Sequence, residues 1–154
     1  MARKPSDIGR EFEKAVTDYV NDWVGLKVCE RIRQHGNLDE GDLRLMVDDV
    51  PVAVECKRYK KYPGESLMDA FRDETLKEMA HAGYDCSVLV VNRFRMGTRR
   101  AEVWMTHGTF ARLMGWEVPK GHSEHDWVCK TLLEFCWMCF GAPAWGLEEL
   151  CTKE

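Results

Sequence analysis

The stretch "VAVECKRYKK", residues 52–61, begins as a strand and ends in charge. Val52, Ala53 and Val54 are residues that a folded chain buries, and Glu55 and Lys57 follow two positions apart. Successive side chains of a strand point to opposite faces. Glu55 and Lys57 therefore share a face, and Cys56 takes the other. Two readings compete: an ion pair at a strand edge, or a carboxylate and an ammonium aimed at one chemical centre.

The residues just upstream favour the second reading. Leu43–Val47 is a strand candidate, Asp48-Asp49-Val50-Pro51 is a turn, and residues 52–57 form the returning strand, so the segment predicts a β-hairpin. Folding back at the turn brings Asp42 opposite residues 55–57. Asp42, Glu55 and Lys57 then meet at one end of the sheet. Two carboxylates that converge repel each other unless a cation or a proton lies between them. Oxygen-rich sites of this kind suit Mg²⁺ or Mn²⁺, with the backbone carbonyl of Cys56 as a natural further ligand. Lys57 stands where it can polarise a water or stabilise negative charge developing on a phosphate.

Working outward, residues 7–24 carry Ile8, Phe12, Val16, Val20 and Val24 at four-residue spacing, the pattern of an amphipathic helix. Ser6 is placed to cap its start and Gly25 to end it. Glu13 lies at the margin of the apolar stripe. Residues 28–32 read as a strand, 34–41 as a loop, and 67–82 as a helix whose apolar side is Leu67, Ala70, Phe71, Leu76, Met79 and Ala80. "CSVLVV", residues 86–91, is apolar throughout, as in a strand buried on both faces. A short strand at 102–105, a short helix at 109–114 and an apolar helix within 123–140 complete the order. Strands alternating with helices in this way predict an α/β fold with a mixed sheet. Residues 1–115 read as the core, and residues 116–154 as an appended C-terminal helical extension with a boundary between Gly115 and Gly121.

Composition fits a folded protein of one domain: 154 residues, 45% hydrophobic and 31% charged. No run of about 18 apolar residues is present, so no spanning helix is expected. The polar start is not a signal peptide, and seven cysteines without framework spacing read as reduced thiols, which together point to a cytoplasmic protein. The net charge of −4 lies wholly in residues 116–154, where seven acids face three lysines. The remainder is neutral but segregated. Asp39, Glu40, Asp42, Asp48 and Asp49 cluster, followed by the basic runs Lys57, Arg58, Lys60, Lys61 and Arg93, Arg95, Arg99, Arg100. An acidic knot flanked by basic runs suits a metal site beside a phosphate-binding surface.

"GDL" at 41–43, then "ECK" at 55–57, with twelve residues between Asp42 and Glu55, resembles the motif of the PD-(D/E)xK nuclease superfamily. "GREFEKAVTDYV", residues 9–20, resembles the first helix of the Holliday junction resolvase-like branch, phage-encoded members included. The helix "DAFRDE" (69–74) and the strand "CSVLVVNRF" (86–94) follow that branch's order, and the resemblance spans residues 6–114. Gly41 stands where the named motif has proline. The resemblance implies a restriction-endonuclease-like core and a Mg²⁺- or Mn²⁺-dependent endonuclease acting on DNA, most like a Holliday junction resolvase of DNA recombination in a bacterial or phage-infected cytoplasm. It implies that Asp42 and Glu55 hold the metal, that a helix glutamate joins them (Glu13, with Glu11 as competitor), and that Lys57 assists the attack on phosphorus. Arg58, Lys60, Lys61, Arg93, Arg95, Arg99 and Arg100 then read as DNA contacts. The alternatives are a nuclease of the same fold for branched, nicked or linear DNA in repair or phage DNA processing, or a non-catalytic DNA- or protein-binding module.

The tail concentrates His122, His125, Cys129, Cys136, Cys139 and Cys151, which raises the question of zinc. "LLEFCWMCF", residues 132–140, is apolar nearly all round, so buried thiols are the expectation. So apolar a tail, with Trp116, Trp127, Trp137 and Trp145, must be covered, either by the core or in a homodimer. Cys56, on the strand face opposite Glu55 and Lys57, is expected to be core.

Overall fold

The computed structural model describes residues 2–33, 37–93, 95–118 and 126–152. The chain is an α/β protein with one six-stranded mixed sheet flanked by helices, consistent with a restriction-endonuclease-like core. The first helix, α1 (Pro5–Val24), buries Phe12, Val16, Val20 and Trp23 and ends at Gly25, whose φ of 76° suits a left-handed cap. Its start differs from the expected cap at Ser6. Lys4 occupies the cap position and Pro5 opens the helix, because proline's fixed φ fits the first turn, where its missing N–H is no loss.

Strands β1 (Cys29–Arg31), β2 (Leu43–Val47) and β3 (Val50–Lys57) form an antiparallel meander. The hairpin turn is tight, with Val47 paired to Val50 and Asp48 at φ 51°, the left-handed region that aspartate tolerates. Helix α2 (Glu65–Ala82) then crosses to β4 (Cys86–Val91), which lies parallel to β3 with Glu55 opposite Leu89. A 3-10 turn (Thr98–Arg100), β5 (Glu102–Thr106) and α3 (His107–Leu113) follow, with Thr106 capping α3 by accepting the Thr109 N–H at 3.2 Å. All six residues of β4 are buried, as a strand covered on both faces requires.

The sheet separates two cores. On the α1 face, Val16, Val20 and Trp23 pack with Val54, Val88, Val90 and Val103. On the α2 face, Met68 and Phe71 pack against Leu89 and Val91. The buried positions of α2 are Met68, Phe71, Thr75 and Glu78. This is a face rotated from the expected one: Leu67 is exposed, and a threonine and a glutamate take the inward positions instead.

The C-terminal segment departs from the expected helix over 123–140. Residues 123–125 lie outside the described residues. Trp127–Thr131 is a strand, β6, paired antiparallel to β5, and helix α4 (Leu132–Phe140) begins only after it. The boundary has a clear cause. Thr131 and Glu134 form a reciprocal capping box, while Trp127, Val128 and Thr131 favour an extended backbone. Leu132, Phe135 and Cys136 of α4 belong to the principal core, and Trp137 and Trp145 meet the ring of Trp23 edge-on. The tail ends in α5 (Leu147–Thr152). Among the described residues, no helix is long and apolar enough to cross a membrane.

Candidate metal centre

The β2–β3 hairpin places the charged residues that opened the sequence. Asp42 sits immediately before β2, where its N–H donates to the Val54 carbonyl at 2.9 Å. Its Oδ2 accepts the Cys56 N–H, also at 2.9 Å, which ties the carboxylate to the opposing strand. On β3 the alternation holds. Val54 and Cys56 face the α1 core, while Glu55 and Lys57 face α2. The thiol of Cys56 packs against that core, and burial holds its pKa well above the ordinary value.

Lys57 bridges strand and helix. Its Nζ lies 2.8 Å from Glu55 Oε1 and 3.0 Å from Glu74 Oε2 of α2, and 5.0 Å from the centre of the Phe71 ring. Burial opposes its charge, but the two carboxylates outweigh that and raise its pKa, so it stays an ammonium. Glu55 is only 5% exposed. Burial, with the charge of Asp42 added, pushes its carboxyl up to about 7 against the pull of Lys57. Burial likewise raises Asp42, opposed by the Cys56 N–H and Lys57. Two carboxylates resisting ionisation side by side are the electrostatic mark of a place that wants a cation.

The helix carboxylates separate. Glu13 lines the same cleft as Asp42 and is raised by burial and by the Asp42 charge, while Arg31 holds its Oε2 at 2.9 Å. Glu11 turns the other way, bound by Arg3 at 2.9 Å and lying 3.8 Å from Arg58. Geometry thus groups Glu13, not Glu11, with Asp42.

Sequence reasoning missed the contribution of α2. Asp39, Glu74 and Glu78 bring one carboxylate oxygen each to within 4.8 Å of one another, the only such gathering of metal-ligating groups among the described residues. Glu78 is 2% exposed and in contact with Glu55. Apolar spacing carried no signal for it: Glu78 lies three residues after Thr75, on an inward face that only the packing of the helix on the sheet reveals. Gly41 also gains a role. Its φ of 96° excludes proline, and a side-chain carbon there would lie 3.1 Å from the Val54 carbonyl and 3.5 Å from Glu78 Oε2. The departure from the motif's proline and the presence of Glu78 belong to the same local structure.

The basic residues fall into neighbouring grooves. Arg58, Lys60 and Arg95 line one with Arg3 and Tyr59, and Arg95, Arg99 and Arg100 line the next, with Met96 between them. Lys61 is exposed beside Lys60. Arg93 lies toward β6, where its charge acts on the Cys129 thiol. In the tail, Cys136 is buried, Cys139 half-buried and Cys129 exposed, while His122 and His125 lie outside the described residues. No protein-family model matches the chain, and no curated protein matches it significantly.

Proposed function

We propose that the chain is a divalent-metal-dependent DNA endonuclease of the PD-(D/E)xK type, most like a Holliday junction resolvase. The observation that carries this reading is the convergence of Asp42, Glu55 and Lys57 at one end of the hairpin with Glu13 beside them. The donor set fits a hard cation: carboxylates alone, raised first by burial and, at Glu55, by the Asp42 charge as well, and a neighbouring buried glutamate without a donor. Asp42 and Glu55 would hold Mg²⁺ or Mn²⁺ with the Cys56 carbonyl, and Glu13 would support from α1. Bound there, the ion supplies Lewis acidity to a phosphodiester and its attacking water.

The chain's own residues do the rest. Lys57, kept charged by its partners, stabilises negative charge developing on the phosphoryl oxygens. The grooves of Arg58, Lys60, Arg95, Arg99 and Arg100 hold the DNA backbone by phosphate contacts, and Lys61 and Arg93 add positive charge outside them. Cutting opposed strands of a four-way junction suits a two-fold dimer. Leu26, 70% exposed, and Trp137, 44% exposed, flank the Trp23 end of α1 and offer an apolar surface for it.

The test is cleavage of labelled four-way junction, duplex and single-stranded DNA in Mg²⁺ or EDTA by the wild type and Asp42→Asn. Symmetric nicking of the junction, lost in EDTA and in the variant, supports the reading. Equal cutting of plain duplex moves the substrate to DNA in general. Absence of cleavage on every substrate in Mg²⁺ and Mn²⁺ overturns it in favour of a binding module.

A further inference from the structure

Glu78 is the most deeply buried acid among the described residues, at 2% exposure; no N–H or hydroxyl donates to either of its carboxylate oxygens, and the one side chain in hydrogen-bond contact with it is another acid, Glu55. Buried polar groups are otherwise satisfied almost without exception, because a carboxylate stripped of water and given no donor is costly. The ammonium of Lys57 is already divided between Glu55 and Glu74. What surrounds Glu78 is more negative charge: Glu55 in contact, and Asp39 and Glu74 with oxygens within 4.8 Å.

We propose that Asp39, Glu74 and Glu78 form a second divalent-cation site on the α2 side of the hairpin, for a hard ion such as Mg²⁺, Mn²⁺ or Ca²⁺. The site is built from two elements that the fold holds in register. Glu74 and Glu78 are one helical turn apart on α2 and project together. Asp39 comes from the loop ahead of β2, and that loop is fixed to the helix by His81, whose Nδ1 lies 2.8 Å from the Asp39 carbonyl oxygen. The Asp39 side chain is itself held in place, its Oδ1 accepting the Gly41 N–H at 3.0 Å. Gly41 leaves open the space beside Glu78 Oε2 that any side chain would narrow. An ion bound there displaces the proton that Glu78 otherwise keeps, and three ionised carboxylates with the Lys57 ammonium against Glu74 then leave a charge near −2, matched to a divalent ion. An all-oxygen set selects the hard cations over zinc or copper. The ion staples the loop that carries Asp42 to α2. Glu55, in contact with Glu78, links it to the Asp42 site without being shared by necessity. The proposal stands whether or not the chain cleaves DNA.

The test is Mn²⁺ binding to the full chain, read by loss of the free-ion EPR signal, in the wild type, Asp42→Asn, Glu78→Gln and Asp39→Asn. The expected stoichiometry is two ions for the wild type and one for each variant. The double variant Asp42→Asn/Asp39→Asn binds none. Mn²⁺ should also raise the melting temperature of Asp42→Asn but not of the double variant. Wild-type stoichiometry and affinity in both Glu78→Gln and Asp39→Asn overturn the proposal. So does a single wild-type ion abolished by Asp42→Asn alone. Where Glu78→Gln fails to give a folded circular-dichroism spectrum, Asp39→Asn decides, since it changes one loop side chain and keeps the oxygen that Gly41 uses.

Discussion

Replacing Glu78 by glutamine should make the metal-free protein more stable in alkali, and the structure sets the size of the effect. Burial, with the Glu55 charge added, pushes the Glu78 carboxyl up to about 10 from an ordinary 4.5. Between those values the folded chain keeps a proton that the unfolded chain has released. Stability therefore falls as pH rises through this window, by about 1.4 kcal/mol per pH unit for one proton. Glu55, pushed up to about 7, is ionised above pH ~7.5, so the interval 7.5–9.5 isolates Glu78. Over those two units the wild type in EDTA should lose about 3 kcal/mol at most, a shift of roughly 1–2 M in the urea midpoint. Buried thiols such as Cys29, raised to about 11, add a loss of the same sign in both proteins. The difference between wild type and Glu78→Gln is therefore the quantity to measure. The glutamine has no proton to lose and can donate its amide to Glu55, so its curve should be flatter by that amount. Urea titrations at pH 7.5, 8.5 and 9.5 in EDTA provide the measurement. Parallel curves for the two proteins would refute the reasoning.

Four further outcomes are expected. Gly41→Ala, with φ at 96° and its new carbon 3.1 Å from the Val54 carbonyl, should lose about 2 kcal/mol in chemical unfolding. Phe135→Ala, emptying a position 1% exposed in the principal core, should cost about 3–5 kcal/mol, read as a lowered melting temperature. Removing Arg58 or Lys60 should weaken DNA binding alike for all sequences and reduce the slope of log affinity against log salt by about one each, measured by fluorescence anisotropy. Light scattering after size-exclusion chromatography should give a dimer that Trp137→Glu converts to monomer, whereas a wild-type monomer removes the dimer from the proposal.

The hairpin site was legible because its logic is local. Period-two alternation put Glu55 and Lys57 on one face, and a two-residue turn fixed Asp42 across from them. Burial on both faces could be read directly from the unbroken apolar run of β4. Glu78 was not legible for a physical reason. The inward face of α2 is chosen by packing on the sheet, and it takes Thr75 and Glu78 while leaving Leu67 in solvent. A search for apolar spacing passes over a face whose purpose is partly polar. Strand β6 was hidden differently. Its aromatic and β-branched residues run without a break into the apolar helix after it, and only the Thr131–Glu134 capping pair marks where one ends and the other starts.

The sheet's spatial order is the order of the chain, β1 through β6. Chains are made from the amino end, and a strand with an unpaired edge invites the wrong neighbour. Here each strand leaving the ribosome finds its partner in the strand made just before it, so the edge left open is always the one that the next strand will cover. Asp39, Asp42, Glu55, Lys57, Glu74 and Glu78 also emerge together, within 40 consecutive positions. During synthesis the charged centre can thus be drawn together by its own hairpin and helix. The tail arrives last, pairs with β5 and adds Phe135 and Leu132 to the core, after the parts it fastens are already side by side.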